Sequence, residues 1–138
     1  MSQRAFKSGQ SLIEFALVIP LVIFTITGFL DISRAIYYDA ALSNAVREGT
    51  RYALVHEVKT SQDVIDIENI VKNYAVGLDE SIINITVTAP SKANDYHVSV
   101  SASYPFNPVT PGLGLVLSAG GPLTLTAQST MQNAPSAR

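Results

Sequence analysis

The stretch Leu12-Ile-Glu-Phe-Ala-Leu-Val-Ile-Pro-Leu-Val-Ile-Phe-Thr-Ile-Thr-Gly-Phe-Leu30 decides the fold. A helix rises ~1.5 Å per residue, so the run is long enough for the hydrocarbon core of a bilayer, ~30 Å thick. Arg4 and Lys7 precede it, and Asp31, Arg34 and Asp39 follow it. Basic residues collect on the cytoplasmic side of a span, which puts the N-terminus in the cytoplasm and the bulk of the chain outside. Pro20 removes one backbone donor and is expected to bend the helix slightly, as membrane helices tolerate. A cleaved secretory signal is the rival reading. Its apolar core would run to about 7–15 residues and end at a site of A-x-A type. Thr25-Ile-Thr27-Gly28 matches such a site poorly, and helical patterning continues past the run without a break. A retained anchor is the better reading.

Glu14 is the exception inside the run. An acid at the centre of a membrane helix costs about 2.5–3.5 kcal/mol on insertion scales, and less near the ends. One reading leaves Glu14 in the first turn, snorkelling to the interface and favoured by the helix dipole. The other has it awaiting a cation inside an assembly.

Downstream, residues 31–57 hold no Pro and a single Gly. Ala35, Leu42, Val46, Gly49 and Ala53 recur on one helical face, with Arg34, Asn44, Arg47, Glu48 and Arg51 mostly on the others. The anchor is therefore predicted to continue as a rod to about Glu57, apolar below and amphipathic above. Asp39 falls near the stripe, either paired with an Arg or at the stripe's edge. Thr60-Ser-Gln-Asp63 reads as an N-cap. It opens a short helix with Val64, Ile67, Val71, Tyr74 and Leu78 on its inner face and Gly77 as its cap.

Three runs of period two follow. Ile83–Ala89, His97–Tyr104 and Leu123–Met131 each alternate an apolar face with a Ser/Thr-rich one, as half-buried antiparallel strands do. Pro90–Asp95 connects the first pair as a hairpin. The upper rod is the natural cover for the apolar face. The predicted fold is α+β: a long transmembrane-to-amphipathic helix on an antiparallel sheet of about three to four strands, with one further short helix. Residues 1–9 form a cytoplasmic leader, 10–30 the transmembrane segment and 31–138 the outer domain. The Pro/Gly-rich connection Pro105–Pro122 surrounds Leu113-Gly-Leu-Val-Leu117. It reads equally as a loop tucked on the core and as an apolar contact with a neighbouring subunit or the membrane surface. The tail Asn133–Arg138 reads as frayed.

Composition narrows the function. Of 138 residues 47% are hydrophobic and 14% charged, with the apolar excess gathered in the anchor. A net charge of -2 supplies no basic field, so no nucleic-acid partner is expected. The absence of Cys excludes disulfides, thiolate metal sites and cysteine nucleophiles. His56 and His97 lack a ligand pattern around them, and no nucleotide, zinc-hydrolase or serine-hydrolase motif occurs. Neither catalysis, a metal nor a cofactor is expected.

Lys7-Ser-Gly9-Gln10-Ser-Leu-Ile-Glu14-Phe15 resembles the processing site of type IV pilins and pseudopilins. Gly9-Gln-Ser-Leu-Ile-Glu-Phe-Ala-Leu-Val-Ile-Pro20, Gly28-Phe-Leu-Asp31 and Asn44-Ala-Val-Arg-Glu-Gly-Thr-Arg-Tyr-Ala53 together resemble the TadE-like family, minor pseudopilins of tight-adherence (Flp-type) pilus systems. The resemblance implies a single-pass protein of the bacterial cell membrane that helps to assemble a pilus. Its implied partners are the lipid membrane, other pilin-type subunits, the assembly platform and a prepilin peptidase. It further implies cleavage between Gly9 and Gln10. Glu14, with Phe15 beside it, would then lie at a helix-pairing interface, where Glu14 meets the new amine of a neighbour. The alternative is a membrane-tethered module that presents its Ser/Thr-rich sheet to an outside ligand and has no pilus role.

Overall fold

A computed structural model describes residues 3–56, 58–88, 97–114 and 123–132, with side chains from residue 9 onward. Glu57, Ala89, the Pro90–Asp95 connection, residues 115–117 of the apolar loop and the tail Asn133–Arg138 lie outside the described residues.

Helix α1 runs from Gln3 to Val55, 53 residues without interruption at Pro20. It begins within the stretch expected as a separate leader and passes through Gly9. One glycine costs a helix only ~1 kcal/mol, too little to end it. Along the apolar run the polar side chains turn back onto the helix. Thr25 Oγ1 donates to the Leu21 carbonyl at 2.8 Å and Ser33 Oγ to that of Phe29 at 2.9 Å. Thr27 Oγ1 donates to the carbonyls of Ile23 and Phe24, both at 3.0 Å. Their hydroxyls need no partner from the surroundings, which suits an apolar medium.

The upper part of α1 is the spine of the core. Leu42, Ala45, Val46, Gly49, Thr50 and Ala53 are buried at spacings of three and four, one face of the helix. Ala35 is only half-buried and Asp39 is exposed, so the buried stripe starts higher than the sequence pattern suggests. Helix α2, Ser61–Tyr74, starts on the expected N-cap. The Asp63 amide donates to Thr60 Oγ1 at 3.3 Å, and Asp63 Oδ2 accepts from the Thr60 amide at 2.7 Å. This reciprocal capping box satisfies two donors that the helix leaves open. Ala75, not Gly77, is the C-cap. Gly77 takes φ +84° two residues further on, with the Tyr37 ring packed where a side chain would begin. Tyr74 ends the helix half-exposed instead of entering the core.

After a single 3-10 turn at Glu80–Ile82, strands β1 (Asn84–Thr88), β2 (His97–Phe106) and β3 (Leu123–Gln132) form an antiparallel sheet in the order β1-β2-β3. Val98, Val100, Ala102, Tyr104 and Phe106 of β2 are buried in strict alternation. Strand β2 extends past the expected Tyr104 through Pro105 and Phe106, which pair with Thr124 and Leu123. Pro105 lies beyond the end of β1, where β2 has no described strand on that side and a missing amide donor is tolerated. Helix α1 crosses β2 and β3, and α2 packs on α1 and reaches β1. On the outer face Gln128 Nε2 and Thr130 Oγ1 both donate to Ser99 Oγ at 3.0 Å, so those polar groups bond among themselves.

Among the described glycines, the closest approach of a neighbour is at Gly49, between α1 and α2. A Cβ placed there would stand 2.5 Å from Val71 Cγ2, and Val71 is fully buried. Gly49→Leu is therefore expected to cost about 1–3 kcal/mol by overpacking. The check is thermal unfolding of the full chain in detergent micelles. A lowered midpoint is expected, with Gly49→Leu/Val71→Ala destabilised by less than the sum of the single variants. An unchanged midpoint for Gly49→Leu would contradict this packing.

Candidate functional site

Among the described residues, the most apolar stretch of α1 is left uncovered by the folded domain. Its most apolar window has a mean hydropathy of 2.3 and is 0% buried, making α1 the one candidate membrane span among the described residues. Leucines, isoleucines, valines and phenylalanines point outward around the helix from Leu12 to Leu30. So large an uncovered apolar surface is stable only against lipid or other chains. The four sequence-predicted residues all lie at its lower end. Gly9 has open space around it, with no atom beyond its own chain neighbours and the adjacent helix backbone within 4 Å of where a side chain would begin. One turn separates Gln10 from Glu14, and Gln10 Nε2 donates to Glu14 Oε1 in a long contact of 3.5 Å. Phe15, 63% exposed, is the next residue round the helix. The helix keeps these four on one rod and clear of the domain. The Gly9–Gln10 peptide bond is inside α1, so a protease that needs extended chain must first unwind this end.

A second constellation, at the upper end of the apolar run, was not recognised from the sequence. Asp31 is 2% exposed and fully bonded. Its Oδ1 accepts from the Val109 amide at 3.0 Å and from Arg34 Nη1 at 3.1 Å, and its Oδ2 accepts from the Thr110 amide at 2.7 Å. The carboxylate thus clasps the loop after β2 to the point where α1 leaves its apolar run. The Arg34 guanidinium lies 5.5 Å from the Phe106 ring centroid and 5.6 Å from that of Tyr38. Tyr38 meets Tyr104 and Phe106 edge-on, with centroids 5.6 and 6.0 Å away. Each helical residue here touches the end of β2 or the loop that follows. The available sequence signal was an acid directly after the apolar run, an Arg one turn on, and a proline-rich loop in need of acceptors.

Higher on the domain, Glu48, Arg51, Tyr52, Val55, His56, Ile70 and Tyr74 line an open groove between the upper ends of α1 and α2. Arg51 Nε pairs with Glu48 at 2.9 Å, and Tyr52 stacks on His56 with centroids 4.0 Å apart. Among the described residues no cluster of His, Asp and Glu converges as a metal site requires.

Residues 9–51 match the model of the family described as TadE-like protein. The match covers the apolar run, Asp31, Arg34 and Tyr38 on the helical side of the clasp, and most of the buried stripe of α1, but not the β2 end or the loop that the clasp holds. No curated protein and no solved structure matches the chain.

The Val109 amide, helped by the Thr110 amide and Arg34 against the effect of burial, lowers the Asp31 pKa from 3.8 to about 2. A carboxylate depressed on folding adds stability above its unfolded pKa and loses it as pH falls through the folded one. Asp31→Asn should therefore unfold at a lower temperature than wild type at neutral pH. The difference should narrow between about pH 4 and pH 2. Thermal unfolding of both proteins across that range is the check, and a difference that stays constant to pH 2 would contradict the clasp.

Proposed function

This chain is TadE-like over residues 9–51, and from that premise we propose that it is a minor pseudopilin, a structural component in the assembly of a tight-adherence pilus. The observation that carries the reading is the division of labour along α1. Its lower part is apolar and bare, while its upper part is built into the domain's core. A subunit of that shape can stand in a membrane and pack its lower helix against those of other pilin-type subunits without unfolding its domain. In this reading the N-terminus is cytoplasmic, the domain lies outside the bacterial cell membrane, and the chain performs no catalysis of its own.

A membrane-embedded prepilin peptidase would hydrolyse the Gly9–Gln10 bond. Water adds across the amide, leaving a carboxylate on Gly9 and an amine on Gln10 that is protonated at neutral pH. Cleavage removes Arg4 and Lys7 and creates one cation at the edge of the apolar run. Glu14, one turn away, would pair with the corresponding amine of a neighbouring subunit, with Phe15 packing beside it. An acid drawn into an apolar interface keeps its charge only when a cation accompanies it, so cleavage licenses assembly. The tethered binding module is the weaker reading, because the Ser99, Gln128 and Thr130 side chains of its sheet face are hydrogen-bonded to one another.

Breaking a buried pair by removing one partner costs about 3–5 kcal/mol, and tenfold in affinity corresponds to about 1.4 kcal/mol. Glu14→Ala should insert in the membrane and fold like wild type, yet its co-purification with pilin partners should fall at least ~10-fold. Undiminished recovery, with pili still assembled, would contradict the pairing role.

A further inference from the structure

We propose that the base of the folded domain is seated in the bilayer's headgroup layer through an apolar collar at the exit of α1, with lipid as the occupant. The collar consists of Ile32, Ile36, Tyr37, Val76 and Val109, all of them exposed. The inference rests on the reading of Leu12–Leu30 as the membrane span.

Two tethers set the collar's height. Asp31 Oδ1 holds the Val109 amide at 3.0 Å, so Val109 stands level with the first residue beyond the apolar run. The Val109 side chain is nevertheless 72% exposed. Tyr37 Oη donates to the Val76 carbonyl at 3.3 Å, which brings Val76, 65% exposed, in beside α1. From residue 31 to residue 37 the helix climbs ~9 Å. That lies within the ~5–10 Å depth at which interfacial apolar groups settle. The collar is continuous with the exposed surface of the span below it, since Phe29, Leu30, Ile32 and Ile36 are all uncovered. Tyr37 has the ring-and-hydroxyl character favoured at a membrane boundary. Arg34 lies at the same level with its side chain 41% exposed, where a lipid phosphate could approach it. A soluble ligand has no reason to require apolar groups within one ~9 Å band on three separate segments. A membrane surface does.

Seating gives the domain a fixed tilt. With the span alone, the rod and the domain built on it would tilt together in the bilayer. The Asp31 clasp turns a one-point attachment into a two-point one, because it fixes the loop that carries Val109.

The chain contains no Cys, so single spin labels can be introduced without removing native thiols. Val109→Cys, Phe24→Cys and Thr126→Cys report on the collar, the span and the outer sheet face. Each full-length variant is placed in vesicles of phosphatidylcholine and phosphatidylglycerol at no more than about one chain per vesicle. Relaxation by a water-soluble nickel chelate and by oxygen is then compared. Seating predicts nickel access at residue 109 roughly threefold or more below that at residue 126, with raised oxygen access, and still lower nickel access at residue 24. Equal nickel access at residues 109 and 126, with residue 24 protected, overturns the seating and leaves the span intact. Nickel access at residue 24 as high as at residue 126 overturns the span reading, and the seating with it. Protection at residue 109 that appears only at high protein-to-lipid ratio assigns the collar to a second copy and also overturns the proposal.

Discussion

One continuous helix has to satisfy two surroundings, and the rest of the structure follows from where it changes between them. From Phe15 to Leu30 its side chains are apolar on every side except for Thr25 and Thr27, which suits lipid or neighbouring helices and excludes water. From Leu42 it is buried on one face only, as a helix covering a sheet should be. The change takes place across Asp31–Tyr38, and there the domain grips the helix most specifically. The Asp31 carboxylate has left water and is stable as an anion because two backbone amides and a guanidinium surround it. Without such partners a buried acid at this boundary would disfavour folding.

Above the clasp the domain closes by size. Ala45, Gly49 and Ala53 keep the surface of α1 shallow, so Val71 of α2 and Val100 of β2 can reach it. The three described strands could not stand alone with one apolar face bare, and α2 with its capped start completes the cover. The result joins a small folded body to a long free rod. Such a shape lets a subunit exchange lipid contacts for contacts with other helices while its own core stays unchanged.

Much of this was legible in the sequence because it rests on local periodicity. The 3.6-residue pattern of Leu42–Ala53, the Thr60–Asp63 cap and the alternation of Val98–Tyr104 each need only neighbours along the chain to be read. The Asp31 contact with Val109 and Thr110 joins residues 78 and 79 positions apart, and no local pattern announces such a pairing. Asp31 and Arg34 read instead as flanking charges of a span. The inner-face reading of Tyr74 failed because α2 ends at that residue and leaves it on a groove rim. The candidate processing residues Gly9 and Gln10 and the candidate helix-pairing residues Glu14 and Phe15 were found by their order in a motif. Their geometry adds an exposed helix and a single weak Gln10–Glu14 contact.

In the function proposed above, the lower helix is first a processing substrate and then an assembly interface. Mass spectrometry of the mature N-terminus from native membranes tests it most directly. A mature chain beginning at Gln10 is expected. An intact residue 1–9 segment in assembled, functional cells would contradict it, and a start after Thr27 or Gly28 would replace the membrane rod with a released soluble domain.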